Sequence, residues 1–136
     1  MNEEHLAAVA FAQWWALTAG RFGVSERLLW AIPNGGKRGF RTAIKMKMEG
    51  VQKGAPDYVL MVPRGQFHGL TIELKRPKTH LSKQGTLSDS QKSMMILLRE
   101  QGYDTAVCYG TDEAIRRIQD YLAIGTKSEF YVGGTK

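Results

Sequence analysis

Two short apolar runs fix the centre of this chain. Residues 57–62, Asp57-Tyr58-Val59-Leu60-Met61-Val62, and residues 69–74, Gly69-Leu70-Thr71-Ile72-Glu73-Leu74, flank a connection that includes Pro63-Arg64-Gly65-Gln66. β-branched and aromatic residues bounded by turn formers predict a β-hairpin. Lys53-Gly54-Ala55-Pro56 supplies the turn into its first strand. Asp57 opens one strand and Glu73 lies near the end of the next, so antiparallel pairing brings both carboxylates to one edge of a sheet. Glu73 and Lys75 are two residues apart and share a strand face, whereas Leu74 points to the other.

The remaining elements arrange themselves around that hairpin. Residues 3–19 read as a helix, with Leu6, Val9, Ala10, Gln13 and Leu17 at helical spacing and Gly20 as its stop. Asn2 is its candidate N-cap, with Glu3 and Glu4 in the first turn. Residues 28–32 form a short apolar run ended by Pro33-Asn34-Gly35-Gly36, and residues 42–49 a basic helix stopped by Gly50. Ser88 caps a helix from Asp89 to about Gln101, with Met94, Met95, Leu97 and Leu98 on its apolar side. Residues 105–109 are a further strand, and residues 111–122 a last helix. The order α, β, α, β, β, α, β, α predicts an α/β fold with a central mixed β-sheet flanked by helices. Residues 1–124 are expected to form a single domain. Residues 125–136, with Phe130-Tyr131-Val132 between glycines, form a tail read as an added strand or a flexible end.

Charge points towards the partner. The 136 residues carry 19 Lys+Arg against 13 Asp+Glu, a formal net charge of +6, and such an excess favours a polyanion, most commonly nucleic acid. Lys37, Arg38, Arg41, Lys45, Lys47 and Lys53 crowd one stretch with only Glu49 opposing them. Lys75, Arg76, Lys78, Lys83 and Lys92 form a second cluster. The single cysteine excludes an intrachain disulfide framework and a Cys-based zinc site. No apolar run reaches membrane-helix length and the start is acidic, so a soluble, cytoplasmic protein with no membrane partner is expected. No Gly-Lys-Ser/Thr accompanies Gly35-Gly36, so no nucleotide cofactor is expected.

Two carboxylates and an ammonium at one sheet edge have a chemical use. Paired carboxylates bind hard divalent cations, and Mg²⁺ held this way keeps several waters and takes up phosphate oxygens. Such a cation polarises a scissile phosphate and acidifies a bound water. A lysine alongside orients that water or stabilises developing negative charge. The bland alternative is a same-face Glu-Lys ion pair on a solvated strand, which any isolated Glu-x-Lys satisfies by chance.

The surrounding residues separate those readings. Ile32-Pro33-Asn34-Gly35-Gly36-Lys37-Arg38, Glu49-Gly50-Val51, Lys53-Gly54-Ala55-Pro56-Asp57, His68-Gly69-Leu70, Ile72-Glu73-Leu74-Lys75, Leu87-Ser88-Asp89-Ser90-Gln91, Gly102-Tyr103, Val107-Cys108-Tyr109-Gly110 and Ala114-Ile115 occur in this order. Together they resemble the virus-type replication-repair nuclease (VRR-NUC) family, within the PD-(D/E)xK superfamily of restriction-endonuclease-like folds. The resemblance implies a metal site of Asp57, Glu73 and the Leu74 backbone carbonyl. It also implies Lys75 as the catalytic lysine, Gln91 as the helical glutamine facing the site, and an acidic residue of the first helix, Glu4 or its rival Glu3. Either of those acids equally suits the positive end of the helix dipole. The resemblance also places Asn34, Gly35 and Gly36 in a turn near the substrate, and Lys37, Arg38 and Arg41 after it are expected phosphate contacts, with Lys53 a further candidate. The alternative for these cations is a solvated helix face.

The resemblance implies an Mg²⁺-dependent endodeoxyribonuclease, with Mn²⁺ as a substitute, that leaves a 5′-phosphate and a 3′-hydroxyl. It further implies a homodimer on branched DNA such as a four-way (Holliday) junction, in a DNA-repair or phage setting within a bacterial or phage-infected cell. The rivals are a non-catalytic nucleic-acid-binding module of the same fold, a flap or single-strand nuclease, a sequence-specific nuclease or RNase, and a docking subunit of a larger complex. His5, His68 and His80 show no ligand spacing, and Cys108 reads as packing. Trp14 and Trp15 are adjacent and cannot share one core stripe, so one of them is expected to meet a second subunit.

Overall fold

A computed structural model describes residues 3–33 and 40–125 of the chain. Its elements follow the expected order: α1 (Glu3–Thr18), β1 (Leu29–Ala31), α2 (Phe40–Met48), β2 (Tyr58–Leu60), β3 (Leu70–Lys75), α3 (Asp89–Glu100), β4 (Asp104–Tyr109) and α4 (Thr111–Leu122). The four strands form one sheet in the order β1-β2-β3-β4. β1 and β2 pair antiparallel, as do β2 and β3, whereas β3 and β4 run parallel. The mixed sheet expected from the sequence is therefore present.

Alternation along β3 divides the two faces. Leu70 and Ile72 enter the main core with Leu60, Tyr58, Ala106 and Cys108, beneath Phe11 and Trp15 of α1 and Ala114, Ile118 and Tyr121 of α4. The Tyr121 hydroxyl donates to the Val62 carbonyl at 2.6 Å, so this buried phenol is satisfied. The opposite face carries Thr71, Glu73 and Lys75 and is covered by α3, whose Arg99 donates to Thr105 Oγ1 of β4 at 2.6 Å. Parallel pairing of β3 with β4 needs a crossover, and α3 is that crossover.

Several details differ from expectation. The first hairpin strand, β2, is shorter than the apolar run 57–62, although its pairing with the β1 segment continues past the regular strands: Ile32 N–H donates to Asp57 O at 2.8 Å and Met61 N–H to Leu28 O at 2.8 Å. On α1, the stripe Leu6, Val9, Ala10, Gln13 and Leu17 faces outwards, and Phe11 and Trp15 are the buried side. Both adjacent tryptophans make internal contacts. Trp15 is buried and donates Nε1–H to Glu26 O at 2.9 Å, while half-buried Trp14 stacks on Phe11 at a centroid distance of 6.3 Å. On α3, Leu97 is exposed, and Met94, Met95 and Leu98 are half-buried against the sheet. The candidate cap Asn2 and residues 126–136 of the tail lie outside the described residues.

Candidate active site

The site begins with the register of the hairpin. Tyr58 lies opposite Ile72, and one further step places Asp57 opposite Glu73, so the two side chains leave the sheet on the same face. Asp57 Oδ2 accepts the Leu74 N–H at 2.8 Å, which fixes its carboxylate against β3. Glu73 is 5% exposed and is the one buried carboxylate among the described residues. An acid in such a place demands partners, since an unpaired buried charge is costly.

Those partners come from α3 and from the strand itself. Gln91 Nε2 donates to Glu73 Oε1 at 2.8 Å. The other end of the same amide closes a capping box: Gln91 Oε1 accepts the Ser88 N–H at 2.9 Å, and Ser88 Oγ accepts the Gln91 N–H at 3.2 Å. One side chain thus caps α3 and orients Glu73. Lys75 Nζ stands 3.9 Å from the same Oε1. Burial, then the facing Asp57 carboxyl, which repels the Glu73 charge and hydrogen-bonds its protonated form, push Glu73 up to about 8, with Lys75 pulling the other way.

Gly54 sets the distance between the two halves of the site. Its φ is +84°, and a Cβ built there would lie 2.3 Å from the Ser90 carbonyl oxygen in the first turn of α3. Only glycine permits both that backbone conformation and that approach. The segment before Asp57 therefore packs directly on the helix that carries Gln91.

These residues surround a cleft of ≈ 340 Å³ lined by Glu4, Lys53, Gly54, Ala55, Asp57, Glu73, Leu74, Lys75, Ser88, Ser90 and Gln91. A second cavity, ≈ 450 Å³, shares Glu4, Asp57 and Leu74 and extends towards Ile32 and Pro33 at the end of β1. Asp57, Glu73, Leu74, Lys75, Gln91, Glu4 and Lys53 thus meet in one place. Glu3 instead lines a small neighbouring hollow with Lys75, Arg76 and Pro77. Arg41 is exposed on α2 and does not line the cleft. Asn34, Gly35, Gly36, Lys37 and Arg38 lie outside the described residues. Sequence reasoning had Ser88 as a cap but did not place Ser90 or the Gly54 contact at the site; a glycine two residues before Pro56 was their only trace.

The donor set suits a small hard cation. Two carboxylates face each other across the hairpin, where Asp57 raises the cost of ionising Glu73, and a divalent cation between them would offset that repulsion. Among the described residues no group of three or more acids, histidines or cysteines forms a fuller cage. Two carboxylates supplemented by a carbonyl and water match Mg²⁺, which gives up its waters reluctantly.

A family model, the VRR-NUC domain, matches residues 2–112. A solved structure of a "VRR_NUC domain protein" is 26% identical, the similarity covering 93% of this chain and 93% of that chain at a TM-score of 0.75. No curated protein matches the chain.

Proposed function

The chain belongs to the VRR-NUC family, and from that premise we propose that it is a metal-dependent, structure-specific DNA endonuclease acting as a homodimer on branched DNA. Family membership makes it a nuclease-type, nucleic-acid-binding domain. The finer reading rests on one observation: a buried Glu73 faces Asp57, is oriented by Gln91 and is flanked by Lys75 in an open cleft. A binding module has no need to bury an acid against another acid, whereas a catalytic cation site does.

Asp57, Glu73 and the Leu74 carbonyl would hold Mg²⁺, or Mn²⁺ in its place. When bound, the cation supplies Lewis-acid polarisation of the phosphate and a more acidic water. The chain's own residues do the rest. Gln91 keeps Glu73 in one rotamer, so the carboxylate pair is preorganised. Lys75 aims the attacking water and stabilises the negative charge that grows on the phosphorus oxygens. Glu4 adds a further carboxylate to the lining of the cleft, and Lys53, which also lines it, meets the phosphate backbone. Arg41, with Asn34, Gly35, Gly36, Lys37 and Arg38, extends that contact in this proposal. Hydrolysis leaves a 5′-phosphate and a 3′-hydroxyl.

The outward stripe of α1 supports the second copy: Leu6 is 52% and Leu17 81% exposed, with Val9 between them. A two-fold dimer would present two clefts symmetrically to a four-way junction. Among the described residues no helix is long and apolar enough to cross a membrane.

The test is cleavage of a labelled panel comprising a four-way junction, 5′ flap, splayed arm, linear duplex and single strand, in Mg²⁺, Mn²⁺ and EDTA. Wild type is expected to cut the junction only with metal, and Lys75→Ala to lose at least about a hundredfold in rate. Cutting of flaps or single strands alone would overturn the junction assignment. Binding without cutting under any metal would overturn the enzyme reading.

A further inference from the structure

Between Glu73 and Asp89 the chain carries four cations, Lys75, Arg76, Lys78 and Lys83, and no carboxylate. Residues 76–85 leave the sheet immediately after Lys75 and return to it. At the base, Gly85 N–H donates to Arg76 O at 2.8 Å, and Arg76 Nε donates to Lys83 O at 2.9 Å. At the tip, Thr79 N–H donates to Ser82 O at 2.9 Å, and Thr79 Oγ1 accepts N–H groups of Leu81 and Ser82 at 3.1 and 3.0 Å. The loop is closed at both ends by its own hydrogen bonds.

That rigid tip presents Leu81, which is 82% exposed. Turn positions are ordinarily polar, and among the described residues nothing covers this leucine. An apolar side chain held outwards by a preformed turn, on a loop that carries Arg76, Lys78 and Lys83 and no carboxylate, has the chemistry of a base-step wedge. The cations bind phosphates, and the apolar group enters between stacked bases and kinks the duplex. Leu81 lies six steps along the chain from Lys75, a reach of at most about 20 Å, which places a wedged base step within a few base pairs of the cleft. The loop also returns to the catalytic strand, since a Cβ built on Gly85 would lie 3.3 Å from Lys75 Cβ.

We propose that residues 76–85 form a DNA wedge in which Leu81 enters the stack within a few base pairs of the scissile phosphate while Lys78 and Lys83 grip the backbone. The proposal rests on the nuclease reading and adds the means by which the enzyme selects deformable, poorly stacked steps, such as those at a branch point.

The test uses junction and duplex DNA with 2-aminopurine at successive positions around the cut site, mixed with the full chain in EDTA to prevent turnover. Wild type is expected to raise fluorescence at one step. Leu81→Ser is expected to abolish that rise, to weaken binding about tenfold, and to melt at the wild-type temperature because the side chain is exposed. The double variant Lys78→Gln, Lys83→Gln is expected to keep the rise at saturation and to reduce the slope of log affinity against log salt by about 2. A rise that persists in Leu81→Ser overturns the wedge. So does wild-type DNA cutting with flat fluorescence at every position, which leaves the nuclease reading standing. A wild type that neither binds nor cuts DNA overturns both. An oligomeric state that depends on Leu81, with flat fluorescence, assigns the tip to a protein partner and overturns the wedge.

Discussion

Gly54 offers a measurement in which the steric and conformational parts of one substitution separate. In Gly54→Ala the new methyl would lie 2.3 Å from the Ser90 carbonyl oxygen, whereas real Cβ atoms essentially never come closer than 3.0 Å. The first turn of α3 or the segment before Asp57 must give way by most of an ångström. Placing alanine at a φ of +84° costs about 1 kcal/mol, and forcing apart a packed contact adds about 2 kcal/mol. Gly50 is the control. Its φ is +98°, but a Cβ there meets nothing within 4 Å, so Gly50→Ala carries only the conformational cost of about 1 kcal/mol. For a domain of this size about 1 kcal/mol corresponds to roughly 4 °C in melting temperature. Gly54→Ala is therefore expected to melt about 12 °C lower than wild type, and Gly50→Ala about 4 °C lower. Activity should separate the two further. A shift of α3 carries Gln91 away from Glu73, and a misplacement of about 1 Å near reacting groups costs up to a hundredfold in rate. Melting curves and metal-dependent cleavage, both measured well below either transition, give the comparison. Equal losses in the two variants would refute the claim that Gly54 spaces the carboxylate strand from α3.

Other predictions follow from the same geometry. Gln91→Ala and Ser88→Ala each break the capping box and are expected to cost about 1 kcal/mol; only Gln91→Ala also frees Glu73, so its cleavage rate should fall about 10- to 100-fold, and equal rates in the two variants would refute the positioning role. Glu73 has its ordinary value of 4.5 raised to about 8 in the folded protein. The stability it contributes is therefore fully present below about pH 4.5 and is lost as pH rises through about 8. Thermal melts in EDTA should show the midpoint falling over that window in wild type and a flatter profile in Glu73→Gln, with added Mg²⁺ opposing the fall at the alkaline end. Leu17→Glu on the exposed stripe of α1 is expected to shift the mass measured by light scattering from dimer to monomer with little change in melting of the protomer, and an unchanged dimer would remove α1 from the interface.

The element order was legible because the chain punctuates itself. Gly50, the 53–56 turn, Gly102 and Gly110 each end or open an element where the structure does, and glycines at 50, 54, 102 and 110 all take positive φ. The face of α1 was not legible. Apolar residues surround that helix, so periodicity alone could not choose between the Leu6-Val9-Leu17 side and the Phe11-Trp15 side. The fold buries the aromatic side, where Phe11 meets Tyr58 edge-on at 5.0 Å and a large ring gains more from burial than a leucine. The pairing of two adjacent tryptophans escaped for a related reason. Trp14 and Trp15 do point in different directions, but the 3₁₀ turn at Ala19–Phe22 folds back and supplies Phe22 as a second aromatic neighbour.

At the site, the sequence could display the residue types but not the constraint that joins them. Asp57 and Glu73 face each other because antiparallel register makes them opposite, and a hairpin prediction already carries that. Gln91 is different. Ser88-x-x-Gln91 is a helix-start signal in its own right, and a local reading is satisfied once the cap is made. The bond from the same amide to Glu73 spans 18 residues and exists only because α3 is the crossover between β3 and β4 and lies across the Glu73 face. The cap then holds the amide in the one orientation whose free N–H points at the acid. A glutamine that only capped the helix could be replaced by glutamate without chemical consequence. Here a glutamate would put a third negative group against a carboxylate that already resists ionisation. The amide is thus the side chain that serves both the helix and the acid, and the local rule and the site's electrostatics select the same residue for different reasons.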